Sequence, residues 1–140
     1  MKSSRRRSRE FALQALYAWQ LGGASFDSLA ALAAESEDFS QADEAFFRVL
    51  LGGTLREADA LRGAIGPHLD RPWEEVSPVE RSILMLAAYE LKYVPEVPFR
   101  VVVNEAVEIA KAFGGTDGFK YVNGVLDRLG RALRPHEAVR

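Results

Sequence analysis

The sequence predicts an all-α protein, a compact helical bundle of about seven helices. Apolar residues recur at intervals of three and four along most of the chain, which is the spacing of one buried helix face. Glycines and prolines end these stretches, and no segment of useful length alternates apolar and polar residues as a strand would. With 140 residues, 48% hydrophobic and 27% charged, the chain has the size and composition of one globular domain, residues 1–140.

The first two helices are separated by a glycine pair. Helix one is predicted over residues 8–21 and ends at the glycines of positions 22–23. Its apolar face comprises Phe11, Ala12, Ala15, Leu16 and Trp19. A shorter, alanine-rich helix follows over residues 25–34, with Ser25 or Asp27 as its N-cap.

The third helix is predicted to be the longest, because its apolar stripe continues from Ser40 to Ile65 before a Gly-Pro pair interrupts it. Two glycines inside this stretch, at positions 52–53, predict either close packing against a neighbour or a kink. A connector with one helical turn around residues 73–75 comes next. Residues 66–76 are the only plausible boundary inside the chain, between an amino-terminal group of three helices and a carboxy-terminal group that we expect to pack onto it.

The start of the fifth helix is marked most clearly. Ser77 is a capping residue, Pro78 occupies the first helical position, and Glu80 stands three residues after the cap. The apolar pattern predicts that this helix continues to Leu91.

Two further helices complete the bundle. The first opens at Pro98 and runs to Phe113, where a glycine pair closes it. The last is capped by Thr116 or Asp117 and ends before Pro135. Its apolar stripe comprises Phe119, Val122, Leu126, Leu129 and Leu133.

Charge is distributed unevenly along the chain. The first ten residues carry a net charge of +4 and the remaining 130 carry −6. We call the cationic residues of this segment the basic arm; they are Lys2, Arg5, Arg6, Arg7 and Arg9. A basic arm on an acidic body indicates a localised anion contact, and on the residues alone the anion could be RNA, an acidic membrane surface or an acidic protein.

Several classes of protein are disfavoured. The chain has no cysteine, which excludes disulfides, thiolate metal sites and a cysteine nucleophile, and its two histidines are far apart. No HExxH, phosphate-binding loop or GxSxG motif is present, so we expect no catalytic residues, no metal and no cofactor. No apolar run approaches the ~18 residues that span a bilayer, which predicts a cytoplasmic protein without membrane contact.

Ordered motifs along nearly the whole chain resemble the bacterial NusB family. The amino-terminal match begins at Arg5-Arg6-Arg7-Ser8-Arg9-Glu10 and continues through Ala15-Leu16-Tyr17-Ala18-Trp19-Gln20. Further matches are Val79-Glu80-Arg81-Ser82-Ile83-Leu84, Ala88-Tyr89-Glu90-Leu91, Val103-Asn104-Glu105-Ala106, Ala110-Lys111 and Lys120-Tyr121-Val122-Asn123-Gly124-Val125-Leu126-Asp127. The order and spacing of these motifs are specific, although each string alone is weak.

The resemblance implies a fold and a role. The implied fold is two three-helix sub-bundles packed together. The implied role is transcription antitermination, including that of ribosomal RNA operons. Its implied partners are boxA-type single-stranded RNA, the ribosomal protein NusE and the transcription elongation complex. A homodimer that covers the basic arm is a further possibility.

Candidate RNA-binding residues follow from both lines of reasoning. Arginine pairs with phosphates through two hydrogen bonds and stacks on bases, so the basic arm suits RNA. Lys120 and Tyr121 combine a cation with a ring and lie off the apolar stripe of the last helix, which favours exposure. The resemblance adds Asp117 to this region, and Gln14 is a candidate because it lies outside the most apolar stripe of helix one.

For protein binding, the resemblance implies Tyr17 and four residues of the fifth helix, Glu80, Arg81, Leu84 and Glu90. Capping alone would also explain Glu80. Two other functions stay open: an accessory domain of an RNA methyltransferase, although no cofactor-binding half follows here, and a module that binds only proteins.

Overall fold

The computed structural model describes residues 2–115 and 117–138, with the side chain of residue 138 left out. All regular structure in these ranges is helical, and no strand occurs in them, which confirms the predicted all-α class. The chain divides into two compact units, Met1–Arg56 and Glu57–Arg140. The boundary between the units lies after Arg56, about ten residues before the segment 66–76. The predicted position of the boundary was therefore wrong.

Three α-helices build the first unit: α1 (Ser4–Gly22), α2 (Phe26–Ala34) and α3 (Glu44–Arg56). A 3-10 turn, Glu37–Gln41, connects α2 to α3. α1 packs against α3, and α2 contacts both. The buried apolar residues of this unit include Leu13, Leu16, Phe47, Leu50 and Leu51.

The predicted caps of the first unit are mostly confirmed. Ser25 is the N-cap of α2, and its hydroxyl accepts a hydrogen bond from the Ser28 N–H. Gly23, at φ 70°, ends α1 in the left-handed conformation that favours glycine. α1 begins four residues earlier than predicted, because its first turn is held by a cap and carries no apolar stripe that a sequence pattern could detect.

The prediction of one long third helix was wrong, because the chain forms two helices between Ser40 and Ile65. α3 ends at Arg56, Glu57 adopts a non-helical conformation (φ −100°, ψ 15°), and α4 (Ala58–Ile65) follows. The break is not at the glycines. Gly52 instead allows close packing, since a Cβ there would lie 3.4 Å from the Phe26 ring.

The second unit contains α4 and four further helices. They are α5 (Pro78–Tyr93), α6 (Phe99–Phe113), α7 (Gly118–Leu133) and α8 (Pro135–Ala138). Two 3-10 turns, Gly66–His68 and Trp73–Glu75, lie between α4 and α5, and the second is the predicted helical turn. α5, α6 and α7 pack on one another, and α4 packs on α5.

Ser77 caps α5 as predicted, since its hydroxyl accepts the Glu80 N–H. Asp117 occupies the N-cap of α7 without a side-chain capping bond, and the alternative, Thr116, lies outside the described residues. The chain does not stop being helical at Pro135, because proline is compatible with a first helical position and opens α8.

A buried arginine fastens the end of α5. Arg134 is 6% exposed. Its guanidinium donates hydrogen bonds to the carbonyl oxygens of Glu90, Leu91, Val94 and Val97, and to the Glu137 carboxylate. Glu137 in turn accepts the Phe99 N–H at the start of α6.

This network should make stability depend on acid pH. The Phe99 N–H, and secondly Arg134, lower the pKa of Glu137 below its ordinary value of 4.5. The stabilisation from ionised Glu137 is therefore complete above about pH 4.5 and is lost as the pH falls through the lowered pKa. Denaturant unfolding from about pH 6 to pH 3 should show a smaller loss of stability in Glu137→Gln than in the wild type. Identical slopes for the two proteins would contradict this assignment.

Candidate nucleic-acid interface

The basic arm is the beginning of α1. The Ser3 hydroxyl accepts a hydrogen bond from the Arg6 N–H at 3.0 Å and caps the helix, so all four arginines of the arm lie within it. The first turn contains no acidic residue. The positive end of the helix dipole therefore adds to the charge of the arginine side chains. Helix one was predicted to begin at residue 8, so the expectation that Arg5, Arg6 and Arg7 precede the helix was wrong.

A buried serine fixes this basic turn to the start of α3. The Ser8 hydroxyl, which is fully buried, donates towards the Asp43 carbonyl at 2.6 Å and the Ser4 carbonyl at 3.0 Å. The Asp43 N–H donates back to the Ser4 carbonyl at 3.2 Å. The Asp43 carboxylate also accepts the Phe46 N–H at 3.0 Å and so caps α3. We did not predict these roles from the sequence, although an aspartate three residues before an apolar run is a recognisable capping signal.

Two arginines of the arm lie over one aromatic ring. The guanidinium carbons of Arg5 and Arg9 lie 4.2 and 5.1 Å from the Phe46 ring centroid. They reach the same ring because residues four apart share a helix face. Arg9 is only 5% exposed, which corrects the expectation that its side chain is free for RNA. In this structure Arg9 supports the site, and Arg5, which is half exposed, forms its surface.

Acidic residues partly neutralise the arm. Lys2 forms a close ion pair with Glu10 at 2.9 Å. The pairs of Arg5 with Asp43 (3.7 Å) and of Arg7 with Asp38 (4.0 Å) are longer than the 2.7–2.9 Å of charge-assisted hydrogen bonds. Long ion pairs at the protein surface contribute about 0–1 kcal/mol, so a phosphate can compete for both guanidinium groups.

The pKa of Asp38 is lowered, first by the hydrogen bond from Ser36 and then by smaller contributions that include the Arg7 charge. Asp38 consequently stays ionised at neutral pH. Of the other predicted residues of this unit, Gln14 and Tyr17 are exposed on α1.

A second cationic and aromatic cluster lies on the other unit, at the start of α7. The Lys120 side chain is 69% exposed, and its ammonium lies 3.4 Å from the Asp117 carboxylate. Tyr121 is half-buried. The Arg71 guanidinium lies 4.2 Å from the centre of the Tyr121 ring and is held by Asp70 at 2.8 Å. Arg71 was not predicted, because nothing in the connector sequence marks its proximity to Tyr121.

The Tyr121 hydroxyl is the buried end of that side chain. It faces Asp70 without reaching hydrogen-bond geometry. Burial, and secondly the Asp70 charge, raise the pKa of Tyr121. The hydrogen bond from Arg71 lowers the pKa of Asp70. Tyr121 is therefore neutral and Asp70 ionised at neutral pH, and Arg71 keeps a cation over the ring.

The predicted partner-binding residues of α5 divide into two groups. Leu84 is fully buried and Glu90 is 2% exposed, so neither presents a side chain to a partner, and we omit both from the proposed surface. They face inwards because the buried side of α5 is broader than its apolar stripe indicated. Glu80 and Arg81 are half-buried. The Glu80 carboxylate lies against Gly118, where a Cβ would come within 2.6 Å of Oε2.

Arg81 is held beside an aromatic residue. Its Nη1 donates to the Trp73 carbonyl at 3.4 Å, and its Nε is buried without a hydrogen bond from the described residues. No group of three or more His, Cys, Asp or Glu residues in the described ranges could hold a metal ion. None of the helices described is both long and apolar enough to cross a bilayer.

The sequence is similar to that of known proteins along nearly its whole length. The model of the NusB family matches residues 6–131. The transcription antitermination protein NusB of Thiobacillus denitrificans is 56% identical over 137 residues, covering 98% of this chain and 94% of its own. The corresponding protein of Paraburkholderia phytofirmans is 53% identical over 137 residues, covering 98% and 95%.

Two solved structures have the same fold. NusB of T. maritima superposes with a TM-score of 0.84 at 30% identity, covering 99% of this chain and 98% of its own. A structure of the antitermination factors NusB and NusE in complex with double-stranded RNA gives a TM-score of 0.81 at 25% identity, covering 94% and 99%.

Proposed function

This chain belongs to the NusB family, and from that premise we propose that it is a transcription antitermination factor, without catalytic activity, that binds RNA and a NusE-type ribosomal protein. The observation that carries the RNA-binding part is the run of arginines in the first turns of α1, which is fixed to α3 and in which the ion pairs of Arg5 and Arg7 are long. Its relatives are named as antitermination proteins, and one solved relative binds NusE and RNA. We infer a cytoplasmic location, where such a factor would meet the elongation complex.

Each unit contributes its own RNA contacts in this proposal. On the first, Arg5, Arg6 and Arg7 contact phosphates, with Lys2 and Gln14 at the margin and Arg9 as a supporting residue. On the second, Lys120 neutralises a phosphate while Tyr121 stacks with a base. Asp117 orients Lys120 through their ion pair.

A boxA-type single strand suits these groups better than a regular duplex, since unstacked bases can reach an aromatic ring. Binding of boxA RNA should therefore exceed binding of a duplex with the same sequence. For the protein partner we propose exposed Tyr17 on the first unit and, separately, Glu80 and Arg81 on the second.

Removal of two arginine charges tests the first contact. Arg6→Gln combined with Arg7→Gln should weaken binding to a boxA RNA at least about tenfold at physiological salt, because two phosphate contacts are lost. A plot of log affinity against log salt should become shallower by about 1 to 1.5, since each phosphate contact on a single strand contributes about 0.7 to the slope. Titrations across a salt series, with and without NusE, measure both quantities.

The matched control removes two exposed cations elsewhere, Arg48→Gln with Lys92→Gln. This variant changes net charge equally but should alter affinity less than about twofold. Equal affinity of the Arg6/Arg7 variant and the wild type would remove the basic arm from RNA binding. Loss of RNA binding with NusE binding retained would support separate RNA and protein surfaces.

The ring of Tyr121 gives a second test. Tyr121→Phe should keep RNA affinity within about twofold, because stacking requires the ring and the hydroxyl is turned inwards. Tyr121→Leu should cost about 1 to 3 kcal/mol of binding free energy, the usual contribution of one base stacked on an aromatic side chain. Equal affinities for the phenylalanine and leucine variants, both confirmed folded by circular dichroism, would show that the ring does not contact a base.

A further inference from the structure

A groove of the second unit is lined by none of the residues assigned to RNA. It has a volume of about 600 Å³ and is lined by α6, α7 and α8. We call it the α6–α7 groove. Its lining includes the apolar residues Phe99, Val101 and Val103 and the charged residues Arg100, Asp127 and Arg131. A volume of this size is typical of sites that hold several side chains or a small ligand.

The apolar residues of the groove are partly exposed to solvent and could be covered by a partner. Val101 is 40% exposed, and Val103 and Phe99 are half-buried. Covering apolar surface removes it from water and so favours binding. These residues alone would accept any apolar segment, so the charged residues must decide which segment fits.

Most charges of the groove are already satisfied within the chain. Arg131 pairs with Asp127 at 3.2 Å, one turn apart on α7. Glu137 is held by Arg134 at 3.0 Å and accepts the Phe99 N–H. In the part of the chain that the structure describes, Arg100 makes no hydrogen bond or ion pair, and it is exposed. Among the described residues that line the groove, Arg100 is therefore a cation without an internal partner, beside apolar residues.

The walls of the groove are fixed before any ligand arrives. The Phe99 ring lies directly against Gly130 of α7, where a Cβ would come within 1.8 Å of the ring. Its backbone N–H is bound by Glu137. A rigid groove loses little conformational entropy on binding, which favours a short, weakly structured ligand.

We propose that the α6–α7 groove docks a short peptide segment of a partner protein in which a carboxylate follows or precedes an apolar side chain. The carboxylate pairs with Arg100, and the apolar side chain covers Val101 and Val103. A nucleic acid is a poorer fit, because a phosphate backbone is bound through several cations, whereas Arg100 is a single cation beside exposed apolar residues. This surface does not depend on the proposed antitermination role.

Three tripeptides test the proposal on the full-length protein. Backbone amide NMR shifts of uniformly ¹⁵N-labelled protein are followed during titration with acetyl-Leu-Asp-Leu-amide, acetyl-Leu-Asn-Leu-amide and acetyl-Leu-Lys-Leu-amide. The acidic peptide should shift amides of residues 99–104 and 127–131 in a saturable way, and bind at least about fivefold more tightly than the other two. Equal binding of all three, or no saturable shift with the acidic peptide, would overturn the proposal.

Variants separate the two halves of the recognition. Arg100→Gln should abolish the preference for the acidic peptide, and Val101→Ser should weaken all three peptides. Lys111→Gln, an exposed cation further along α6, is the matched control and should leave the preference unchanged. If oligouridylate shifted the groove amides while the acidic peptide did not, the ligand would be a nucleic acid and the proposal would fail. RNA binding by the basic arm should be unaffected by Arg100→Gln, so the two proposals fail independently.

Discussion

Replacing Arg134 with methionine should lower the free energy of unfolding by about 3 to 5 kcal/mol, which is among the largest effects expected of one substitution. The side chain is buried and donates to four main-chain carbonyls and one carboxylate. Three of the carbonyls, those of Glu90, Leu91 and Val94, lie in the last turn or at the end of α5. The Glu90 and Val94 carbonyls also accept the backbone N–H groups of Val94 and Val97, whereas the residue four positions after Leu91 is Pro95, which has no N–H to donate. Methionine has comparable length but no donor, so buried acceptors lose their hydrogen bonds.

The neighbouring Arg131→Met is the matched control. Arg131 is an exposed residue in the last turn of α7, the helix whose C-cap is Arg134, and it pairs with Asp127, so its replacement should cost less than about 1 kcal/mol. Arg134→Lys should recover only part of the loss, because one ammonium cannot reproduce the planar fork of donors. Chemical denaturation of the variants measures the differences. A value for Arg134→Met within about 1 kcal/mol of the wild type would mean that water replaces the guanidinium.

The role of Arg134 also shows where sequence reasoning stopped. Periodicity predicted α5, α6 and α7 well, because their apolar residues fall on one face and Ser77-Pro78 marks a start. An arginine before a proline at the end of a helix, however, looks like a solvent-exposed residue. Only the fold brings it to carbonyls more than 35 residues away in the chain.

The boundary at Glu57 escaped prediction for a different reason. The apolar residues Leu50, Leu51, Leu61 and Ile65 are all buried, and their spacing is compatible with one continuous helix. Because apolar residues are buried both before and after the break at Glu57, the apolar pattern of the sequence continues across it. The glycines at positions 52–53 stay helical, and Gly52 lies beside the Phe26 ring.

The sequence predicted which residue types form the candidate RNA-binding site, but not how their side chains are arranged. A basic segment and the Lys120-Tyr121 pair are visible as residue types, and the structure shows Lys120 exposed. The sequence could not indicate that Arg9 is buried over Phe46, or that Arg71 covers Tyr121, because both contacts join segments distant in the chain. The burial of Leu84 and Glu90 similarly follows from how α5 is covered on several sides.

A second large effect on stability is expected at Gly130. Glycine is required there because the Phe99 ring occupies the space of a Cβ, and not because of the backbone conformation. Gly130 lies within α7, and an added Cβ would overlap three atoms of the Phe99 ring at 1.8 to 2.5 Å. Gly130→Ala should therefore destabilise the protein by about 2 to 3 kcal/mol, the cost of forcing a side chain out of a packed position. Elsewhere on a helix the same change stabilises by up to about 1 kcal/mol.

The stability effect of Gly→Ala at position 130 should therefore have the opposite sign to its effect elsewhere on a helix, and removal of the Phe99 ring should reverse it. In a Phe99→Ala background the obstacle is gone, so Gly130→Ala should become neutral or stabilising, with a coupling free energy of about 3 kcal/mol between the two positions. Gly124→Ala on the same helix is the matched control, because its Cβ would meet only the Arg128 guanidinium at 3.6 Å, and it should stabilise the protein. Equilibrium unfolding of the five proteins measures the cycle. If Gly130→Ala had the same effect with and without the Phe99 ring, the close approach of α6 to α7 at this point would not be what requires glycine.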